Sequence, residues 1–238
     1  MAKRKPAAKK KNKPIRPGRW LLRRAGVVLG GIVVLLVVII SLYAFVNPPT
    51  TPYIVSEGRR LGGVDREWVD MDQIAPVMAR SVVAAEDANY CLHWGFDMSA
   101  IRAAIEAGSN RGASTISQQV VKNVFLWHGR SWLRKALEAG ITPAVEAVWS
   151  KRRLLEIYLN MVEFDGGVFG VEAAARHYFG VSAADLSDQQ AALLAAILPD
   201  PKDRSASNPS AFVQRRAAAI RSGAATIRAD GRDDCFES

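Results

Sequence analysis

The stretch AGVVLGGIVVLLVVIISLYAFV, residues 25–46, has no charged side chain in 22 consecutive positions. As a helix rising about 1.5 Å per residue it would be roughly 33 Å long, enough to cross a hydrocarbon core of about 30 Å. It lacks the polar face that a core helix of a soluble domain would carry. A cleaved signal peptide, the alternative, has an apolar stretch of only about 7–15 residues followed by small residues. The sequence therefore predicts an uncleaved transmembrane helix over residues 25–46.

The charges on either side of this helix predict its orientation. Residues 1–24 hold 11 of the 32 Lys and Arg residues of the chain and no Asp or Glu, whereas the other side has no charge before Glu57. By the positive-inside rule the N-terminus is cytoplasmic, and residues 47–238 lie outside the cytosol. The basic tail then serves topology and attraction to anionic lipid of the inner membrane. Without the tail the chain is nearly neutral, so no nucleic-acid partner is predicted.

Composition excludes several classes of protein. With 238 residues, 49% of them hydrophobic and 8% aromatic, the chain is neither disordered nor fibrous. Two cysteines are too few for a disulfide framework, and the sequence leaves open whether Cys91 and Cys235 pair. The three histidines are scattered and no Cys/His cluster has the spacing of a zinc site, so no metal ligands are predicted.

Beyond the membrane helix, the pattern predicts one mostly α-helical domain. Residues 47–66, rich in Pro, Gly, Thr and Ser, are predicted to be a linker or irregular entry segment, and residues 67–238 the domain itself. Asp72 is predicted to cap the first helix, with a start near Pro76 as the alternative. Pro143 should break or kink the chain. Strand signals are weak, residues 165–167 predict a turn, and further helices are predicted over residues 100–108, 115–126, 131–139, 144–149, 151–161, 171–179, 187–198 and 211–228.

An acidic pair, Glu86-Asp87, follows the apolar run Val82–Ala85 near the predicted end of the first helix. Apolar neighbours and the negative end of a helix both disfavour a charged carboxylate, so the pKa of Glu86 is predicted to be raised. Such a group can transfer a proton to or from a sugar hydroxyl. The alternative is an exposed pair of acids at a helix end. His93 is predicted to be a hydrogen-bonded structural histidine.

The segment GASTISQQVVKN, residues 112–123, predicts a capped helix start. Thr115 and Gln118 have the spacing of a capping box after a flexible Gly-Ala turn. Free backbone N–H groups at a helix start form an anion site, and Lys122, one turn after Gln118, adds a positive charge. Phosphate or pyrophosphate would fit, although the order of residues is not that of a P-loop. The alternative is an ordinary capped surface helix.

The segment RSWLRKALE, residues 130–138, combines cations with a second carboxylate. Glu138 follows Arg134 by four residues and Lys135 by three, so the three share a helix face. One interpretation is a surface ion-pair cluster that contributes well under about 1 kcal/mol. The other is a functional carboxylate held by cations, with Arg130 as a phosphate ligand.

An apolar bracket surrounds this polar segment. It consists of residues 124–127 (VFLW) together with Trp132 and Leu133. Core packing is the default interpretation for such residues. Because a membrane helix lies upstream, an interfacial lip that contacts lipid is the competing one.

Together these segments resemble glycosyltransferase family 51, the bacterial peptidoglycan glycosyltransferases. Five motifs occur in order between residues 84 and 180 behind a single membrane helix, as in monofunctional members of the family. They are Glu86-Asp87 through His93-x-Gly95-Phe96-Asp97, residues 112–123, Arg134-Lys135-x-x-Glu138, residues 151–160 (KRRLLEIYLN) and residues 167–180 (GVFGVEAAARHYFG).

The resemblance implies a lysozyme-like helical fold and an inverting glycosyltransferase that uses lipid II outside the cytosol. The donor is the growing glycan on undecaprenyl pyrophosphate, and the acceptor is the 4-hydroxyl of an incoming lipid II. Glu86 corresponds to the general base, and Glu138 to the second glutamate, which positions groups or stabilises the leaving side. Substrate-binding positions implied by the resemblance are Asp87, Arg102, Ser114, Thr115, Gln118, Gln119, Lys122, Asn123, Arg130, Arg134 and Lys135.

The resemblance also bears on cofactors and partners. Some family members use a divalent cation such as Mg²⁺ or Mn²⁺, although no ligand cluster in this sequence argues for one. Penicillin-binding proteins and the division machinery are the protein partners that it implies. No certain cofactor is predicted.

Three competing functions remain open from the sequence. A membrane-bound muramidase or lytic enzyme would also use carboxylates on polysaccharide, but would not need the predicted pyrophosphate site. A non-catalytic scaffold for wall synthesis would not need Glu86. A bifunctional penicillin-binding protein is disfavoured, because no Ser-x-x-Lys or Lys-Ser/Thr-Gly motif occurs and an end at Ser238 would leave no room for a transpeptidase domain.

Overall fold

The computed structural model describes residues 17–106, 108, 114–129 and 131–237. These residues form two compact units, one up to Ile39 and one from Ile40 onward. The first unit contains most of helix α1 (Pro17–Tyr43), whose apolar part, Trp20–Tyr43, has a mean hydropathy of 3.0 and is long enough to cross a membrane. The predicted apolar helix is therefore present, although it ends at Tyr43 instead of residue 46, and its length and composition are compatible with a membrane anchor. Of the predicted basic tail, residues 1–16 lie outside the described residues.

The predicted irregular entry segment is wrong for half of its length, because helix α2 spans Pro52–Leu61. The Thr51 side chain caps its first turn and accepts a hydrogen bond from Ile54 N at 3.2 Å. Pro52 occupies the first helical position, where its missing N–H costs nothing. The helix ends at Gly62, whose φ of +81° suits glycine. The Pro and Gly that suggested a linker are thus the start and stop signals of a helix.

The second unit is built mainly from α-helices, as predicted. α3, α9 and α10 pack against one another, and α5 packs against both α6 and α7. The helices are α3 (Pro76–Glu86), α4 (Met98–Glu106), α5 (Ile116–Phe125), α6 (Trp132–Val148), α7 (Lys151–Met161), α8 (Val171–Phe179), α9 (Asp188–Ile197), α10 (Ala211–Ala229) and α11 (Asp234–Glu237).

The start of α3 follows the alternative prediction, at Pro76. Asp72 does not cap this helix; it lies in a short 3-10 turn, Met71–Gln73, and its carboxylate pairs with Arg152. Proline at the first helical position fixes the backbone angle that the helix needs. This start leaves Glu86 as the last residue of the helix.

The predicted break at Pro143 is wrong, because α6 continues through it from Trp132 to Val148. Proline removes one backbone hydrogen bond and costs a helix interior about 3 kcal/mol. Here Ile141 and Val145 are buried on either side of the proline, and their packing offsets the cost. The Thr142 hydroxyl also donates to the Glu138 carbonyl at 2.7 Å, which satisfies one carbonyl in this turn.

A small sheet joins the entry segment to the centre of the chain. Its strands β1 (Asp65–Arg66), β2 (Glu163–Asp165) and β3 (Val168–Phe169) have the order β1-β3-β2. β1 pairs with β3 in parallel, and β2 pairs with β3 in antiparallel orientation across the predicted turn at residues 166–167. Strands of two or three residues are too short to produce an alternating pattern that a sequence would reveal.

Candidate active site

Glu86 lies where α3 ends, and three other helices supply its surroundings. Gln119 of α5 donates from Nε2 to Glu86 Oε2 at 2.9 Å, and the Arg216 guanidinium of α10 lies 3.7 Å from Oε1. Tyr158 of α7 donates in turn to Gln119 Oε1 at 3.3 Å. The Glu86 side chain is about one-seventh exposed, at 14%. It is therefore an oriented carboxylate that still faces an opening, and not the freely exposed acid of the alternative interpretation.

Asp87, next to Glu86, is turned into the protein. Its Oδ1 lies 2.8 Å from His93 Nε2, and its Oδ2 accepts from the backbone N–H of Ile116 at 3.0 Å. Asp87 thus ties the end of α3 to the start of α5. His93 has the structural hydrogen bond that the sequence analysis assigned to it.

The capping box at the start of α5 is present as predicted. The Thr115 side chain accepts from Gln118 N at 3.3 Å, and Gln118 Oε1 accepts from Thr115 N at 3.1 Å. The prediction that free N–H groups there form an anion site is wrong for Ile116 and Gln118, because Asp87 and Thr115 already accept from them. The carboxylate of Asp87 is itself the anion that a helix start favours.

The positive charge comes from side chains instead. Arg134 Nη1 lies 3.2 Å from Glu138 Oε2, and Lys135 Nζ contacts the other oxygen of Glu138. Lys135 also donates to Ser114 Oγ at 3.0 Å. Glu138 is buried, so the cluster is not the surface ion-pair cluster that was the first of its two interpretations. One carboxylate facing two cations leaves a net positive charge.

Lys122 of α5 interacts electrostatically with both this cluster and Glu86. Burial lowers the pKa of the Lys122 ammonium, and the carboxylates of Glu138 and Glu86 act in the opposite direction. Arg134 and Lys135 lower it further. Each of these charges is close enough to affect Lys122. Lys122 of α5 therefore links the carboxylate of Glu86 and the cation cluster of α6 into one site.

Two cavities adjoin the site. One, of about 480 Å³, is lined by Glu86 together with Asp87, Asn89, Ser114 and Thr115. The other, of about 300 Å³, has walls from α5, from the end of α9 and from α2. Its polar lining residues are Tyr53, Gln119, Lys122, Asn123, His128, Glu163, Asp200 and Lys202. Gln119 lines the smaller cavity and hydrogen-bonds to Glu86, which lines the larger one. The two cavities are therefore separated by the side chain of Gln119.

The wall formed by Tyr53, Glu163 and Lys202 was not predicted. The Tyr53 hydroxyl donates to Glu163, and Lys202 Nζ lies 3.3 Å from the same carboxylate. Burial, followed by the hydrogen bond to Glu163, raises the pKa of Tyr53 to about 12. Lys202 also bonds to Glu57 of α2 at 2.9 Å. The amphipathic pattern of α2, with Ile54 and Glu57 on one face, is the signal that could have revealed this wall.

His128 stacks on Tyr53 with 3.5 Å between ring centroids. Burial lowers the pKa of His128 to about 4, and the nearby Lys122 and Arg134 cations act in the same direction. The imidazole is therefore neutral at pH 7. The cations that act on His128 thus include Lys122 and Arg134 of the site described above.

The other predicted site residues differ in placement. Asn123 is buried and lines the smaller cavity. Arg102 is exposed on α4 and makes no hydrogen bond or ion pair with any residue of the described part of the chain. Arg130 and the Gly112-Ala113 turn lie outside the described residues.

Some residues of the apolar bracket are buried and others are exposed, so core packing does not account for all of them. Val124 and Leu126 are buried, as core packing predicts. Trp132 is 92% exposed, and Trp127 and Leu133 are also exposed. Trp132 lines a surface pocket together with Ser131, Arg134 and Lys135.

A comparison with known protein families identifies the chain. The model of the family described as transglycosylase matches residues 56–224, which include every residue placed at the site above except Tyr53. This chain belongs to the transglycosylase family. The family and the enzyme class implied by the sequence motifs are thereby confirmed.

Three similar proteins share the name biosynthetic peptidoglycan transglycosylase. The protein from Jannaschia sp. (strain CCS1) is 65% identical over 218 residues, which cover 92% of this chain and 90% of the relative. That from Rhodospirillum centenum (strain ATCC 51521 / SW) is 48% identical over 221 residues, covering 91% and 96%. That from Pseudomonas fluorescens (strain SBW25) is 51% identical over 206 residues, covering 82% and 85%.

The described residues of this transglycosylase contain no group of three His, Cys, Asp or Glu side chains that could hold a metal ion. The acidic residues closest to the reaction site are engaged otherwise, Asp87 by His93 and Ile116 and Glu138 by two cations.

Proposed function

We propose that this transglycosylase polymerises lipid II into β-1,4-linked glycan strands for the bacterial cell wall and releases undecaprenyl pyrophosphate. The observation that carries the proposal is the convergence of Glu86 with Lys122, Arg134 and Lys135 around one helix, α5. A carboxylate that can accept a proton and a cluster that can receive a diphosphate are the two groups that this transfer requires.

Glu86 is the general base of the reaction. Its carboxylate takes the proton from the 4-hydroxyl of the incoming lipid II, and the oxygen attacks the anomeric carbon of the donor glycan. As the new carbon–oxygen bond forms, the bond from that carbon to the pyrophosphate oxygen breaks, and the configuration inverts from α to β. Gln119 holds the carboxylate through its 2.9 Å hydrogen bond, which orients it before the acceptor arrives.

The cations receive the leaving group. Undecaprenyl pyrophosphate departs with the electron pair of the broken bond, and Lys122, Arg134 and Lys135 stabilise the negative charge as it develops. Glu138 acts on this side by holding Arg134 and Lys135 in place, so we assign it a positioning role. Substrate contacts from Ser114, Gln119 and Asn123 complete the proposal; Asp87, Thr115 and Gln118, whose polar groups bond within the protein, support the site from behind.

The test is polymerisation of lipid II by the full chain in detergent, with Glu86→Gln as the variant. The amide keeps the shape of the side chain but cannot accept the proton, so we expect kcat to fall by about 10²–10⁴-fold. The matched control is Glu106→Gln, the same change at an exposed position of α4, which should retain wild-type activity. Full activity in Glu86→Gln would overturn the catalytic assignment and favour a scaffold role.

The same preparation tests a lytic function. A muramidase would degrade preformed glycan strands and form no polymer from lipid II. We expect the reverse, because the cations around Lys122 have no use in hydrolysis by water of a neutral glycosidic bond. Degradation without polymerisation would contradict the proposal.

A chelator added to the assay tests the need for Mg²⁺ or Mn²⁺. We expect polymerisation to continue at a rate within about threefold of the untreated enzyme, since three protein cations already face the leaving group. Loss of activity that is restored by one of these ions would establish a metal requirement.

We also propose a topology. The basic residues 1–24 lie in the cytoplasm, α1 crosses the inner membrane, and the helical unit that follows is periplasmic. Protease added to spheroplasts should then digest the helical unit and spare an epitope fused to the N-terminus. Protection of the helical unit would reverse the orientation. Penicillin-binding proteins and the division machinery remain proposed partners, to be identified by crosslinking in cells.

A further inference from the structure

The end of the chain folds back onto the loop that follows the proposed general base. We define residues 230–237 as the C-terminal strap and residues 87–97 as the acidic loop. A disulfide between Cys91 and Cys235 joins the two across a sequence separation of 144 residues. The sequence left this pairing open, because spacing along a chain carries no information about distance in space. The bond closes the strap over the loop that begins directly after Glu86.

Two more contacts fix the strap to the acidic loop. Arg232 Nη1 donates to the carbonyl of Ala88 at 3.1 Å. Phe236 and Tyr90 are both completely buried, with ring centroids 6.1 Å apart. A hydrogen bond from a side chain to the backbone, an aromatic pair and a disulfide therefore hold the acidic loop to the strap.

The strap is itself anchored to the helical scaffold. Arg80 of α3 forms ion pairs with Asp233 and Glu237, and its side chain is only 10% exposed. Arg152 of α7 donates to the carbonyl of Phe236 at 3.1 Å. The strap thus connects the acidic loop to α3 and α7.

The acidic loop matters to the site because it connects both of its sides. It starts at the residue after Glu86, and through Asp87 it holds the N-terminus of α5. α5 carries Gln119, which orients Glu86, and Lys122, which faces the leaving group. A displacement of this loop would alter the distance between base and cations.

The strap lies beyond the segment that the family model matches, which ends at residue 224. The chemistry common to the family is therefore encoded before the strap begins. The strap adds a support to that chemistry from the last residues of this chain.

We propose that the disulfide-closed C-terminal strap positions the acidic loop, and through it Glu86, for proton transfer in the polymerisation reaction. This inference rests on the proposed function. Cys91, Arg232, Cys235 and Phe236 are positioning residues, since none of them faces the cavities beside Glu86. Opening the strap lowers the turnover of bound substrate and leaves the cation cluster, and hence the binding of lipid II, in place.

The experiment compares the oxidised full chain with the Cys91→Ser/Cys235→Ser variant, each with and without dithiothreitol. The dithiol gives two electrons and two protons to the Sγ–Sγ bond, which leaves two protein thiols and one cyclic disulfide of the reagent. The chain has two cysteines, so the reagent has a single protein target. Kinetics of lipid II polymerisation give kcat and KM, and thermal unfolding gives the melting temperature of each sample.

We expect reduction of the wild type and the double substitution to lower kcat alike, by about tenfold, because small misplacements of a catalytic group are costly. KM for lipid II should stay within about twofold of the wild type, and dithiothreitol should not affect the variant. The acidic limb of the pH–rate profile should also shift, since the surroundings of Glu86 change. A purely stabilising strap would leave both kcat and this limb unchanged at temperatures where the chain is folded, which would overturn the inference.

A control separates positioning from general loosening. Leu186→Ala removes a buried side chain from the turn between α8 and α9, so it lowers the melting temperature without touching the strap. We expect it to retain kcat; an equal loss of kcat at an equal melting temperature would contradict the inference. If the oxidised wild type makes glycan and the strap variant does so equally fast, only the inference fails. If the wild type makes none, the proposed function fails with it.

Discussion

Two glutamates, Glu86 and Glu138, lie at the same site and are held in opposite ways. Glu138 is buried and pairs with Arg134 and Lys135, which precede it by four and three residues on its own helix. Glu86 remains partly open, and its partners Gln119 and Arg216 come from other helices, 33 and 130 residues away. A carboxylate saturated by local cations can organise charge, whereas one held loosely by distant groups can still accept a proton.

The largest effect on stability should come from removing the charge of Glu138. In Glu138→Gln the two cations lose their buried partner, so we expect the free energy of unfolding to fall by about 1–3 kcal/mol. We also expect kcat to fall about 10- to 100-fold as Arg134 and Lys135 lose their positions. Chemical denaturation and the lipid II assay measure the two effects. By contrast, Glu86→Gln should lose more activity and almost no stability; equal losses of stability in both variants would erase the distinction between the two glutamates.

A smaller effect should follow from removing the cation beside Glu86. In Arg216→Gln, loss of the positive charge 3.7 Å from the carboxylate favours its protonated form. The acidic limb of the pH–rate profile should therefore move to higher pH, and kcat at neutral pH should fall about two- to fivefold, as suits a partly exposed ion pair. Arg215→Gln, the same change at the exposed neighbouring position, is the matched control. A profile identical to that of the control would show that Arg216 does not act on Glu86.

The smallest effect concerns His128, on the cationic side of the site. Its pKa is lowered by burial to about 4 in the folded chain, against an ordinary value of about 6.5, so the unfolded chain binds this proton first as the pH falls. Above about pH 6.5 the neutral imidazole does not reduce the free energy of unfolding. Between about pH 6.5 and pH 4 the free energy of unfolding falls, because only the unfolded chain is protonated at this histidine. Unfolding of His128→Asn should depend less steeply on pH in this window than unfolding of the wild type. His177→Asn, the same change at an exposed position of α8, serves as control, and equal slopes in wild type and His128→Asn would contradict the prediction.

The same contrast explains what the sequence could predict. Glu138 and its cations follow from i,i+3 and i,i+4 spacing, and the capping box of Thr115 and Gln118 from a four-residue pattern, because a helix fixes such distances. Both were correct, and so was the end of α3 at Glu86. Local patterns also misled: the Pro and Gly around α2 suggested a linker, and Pro143 suggested a break that tertiary packing overrides.

Contacts between remote segments could not be predicted in this way. The pair of Arg216 with Glu86, the bond of Lys202 to Glu57 and the disulfide of Cys235 each join residues more than 100 positions apart. No periodicity relates such residues, since their distance depends on how whole helices pack. The motif resemblance placed Glu86 and Lys122 in one enzyme, but only the packing of α5 explains why they meet.

The carboxylate of Asp87 determines which segments of such a site should be exchanged together in a chimera. Asp87 bonds to His93 within its own segment and to the backbone of Ile116 in the next. One carboxylate therefore holds the two segments together, and a graft that removes the acid at position 87 or shifts the start of α5 leaves the Ile116 N–H without this partner. Chimeras intended to exchange substrate preference should take residues 84–97 and 112–123 together.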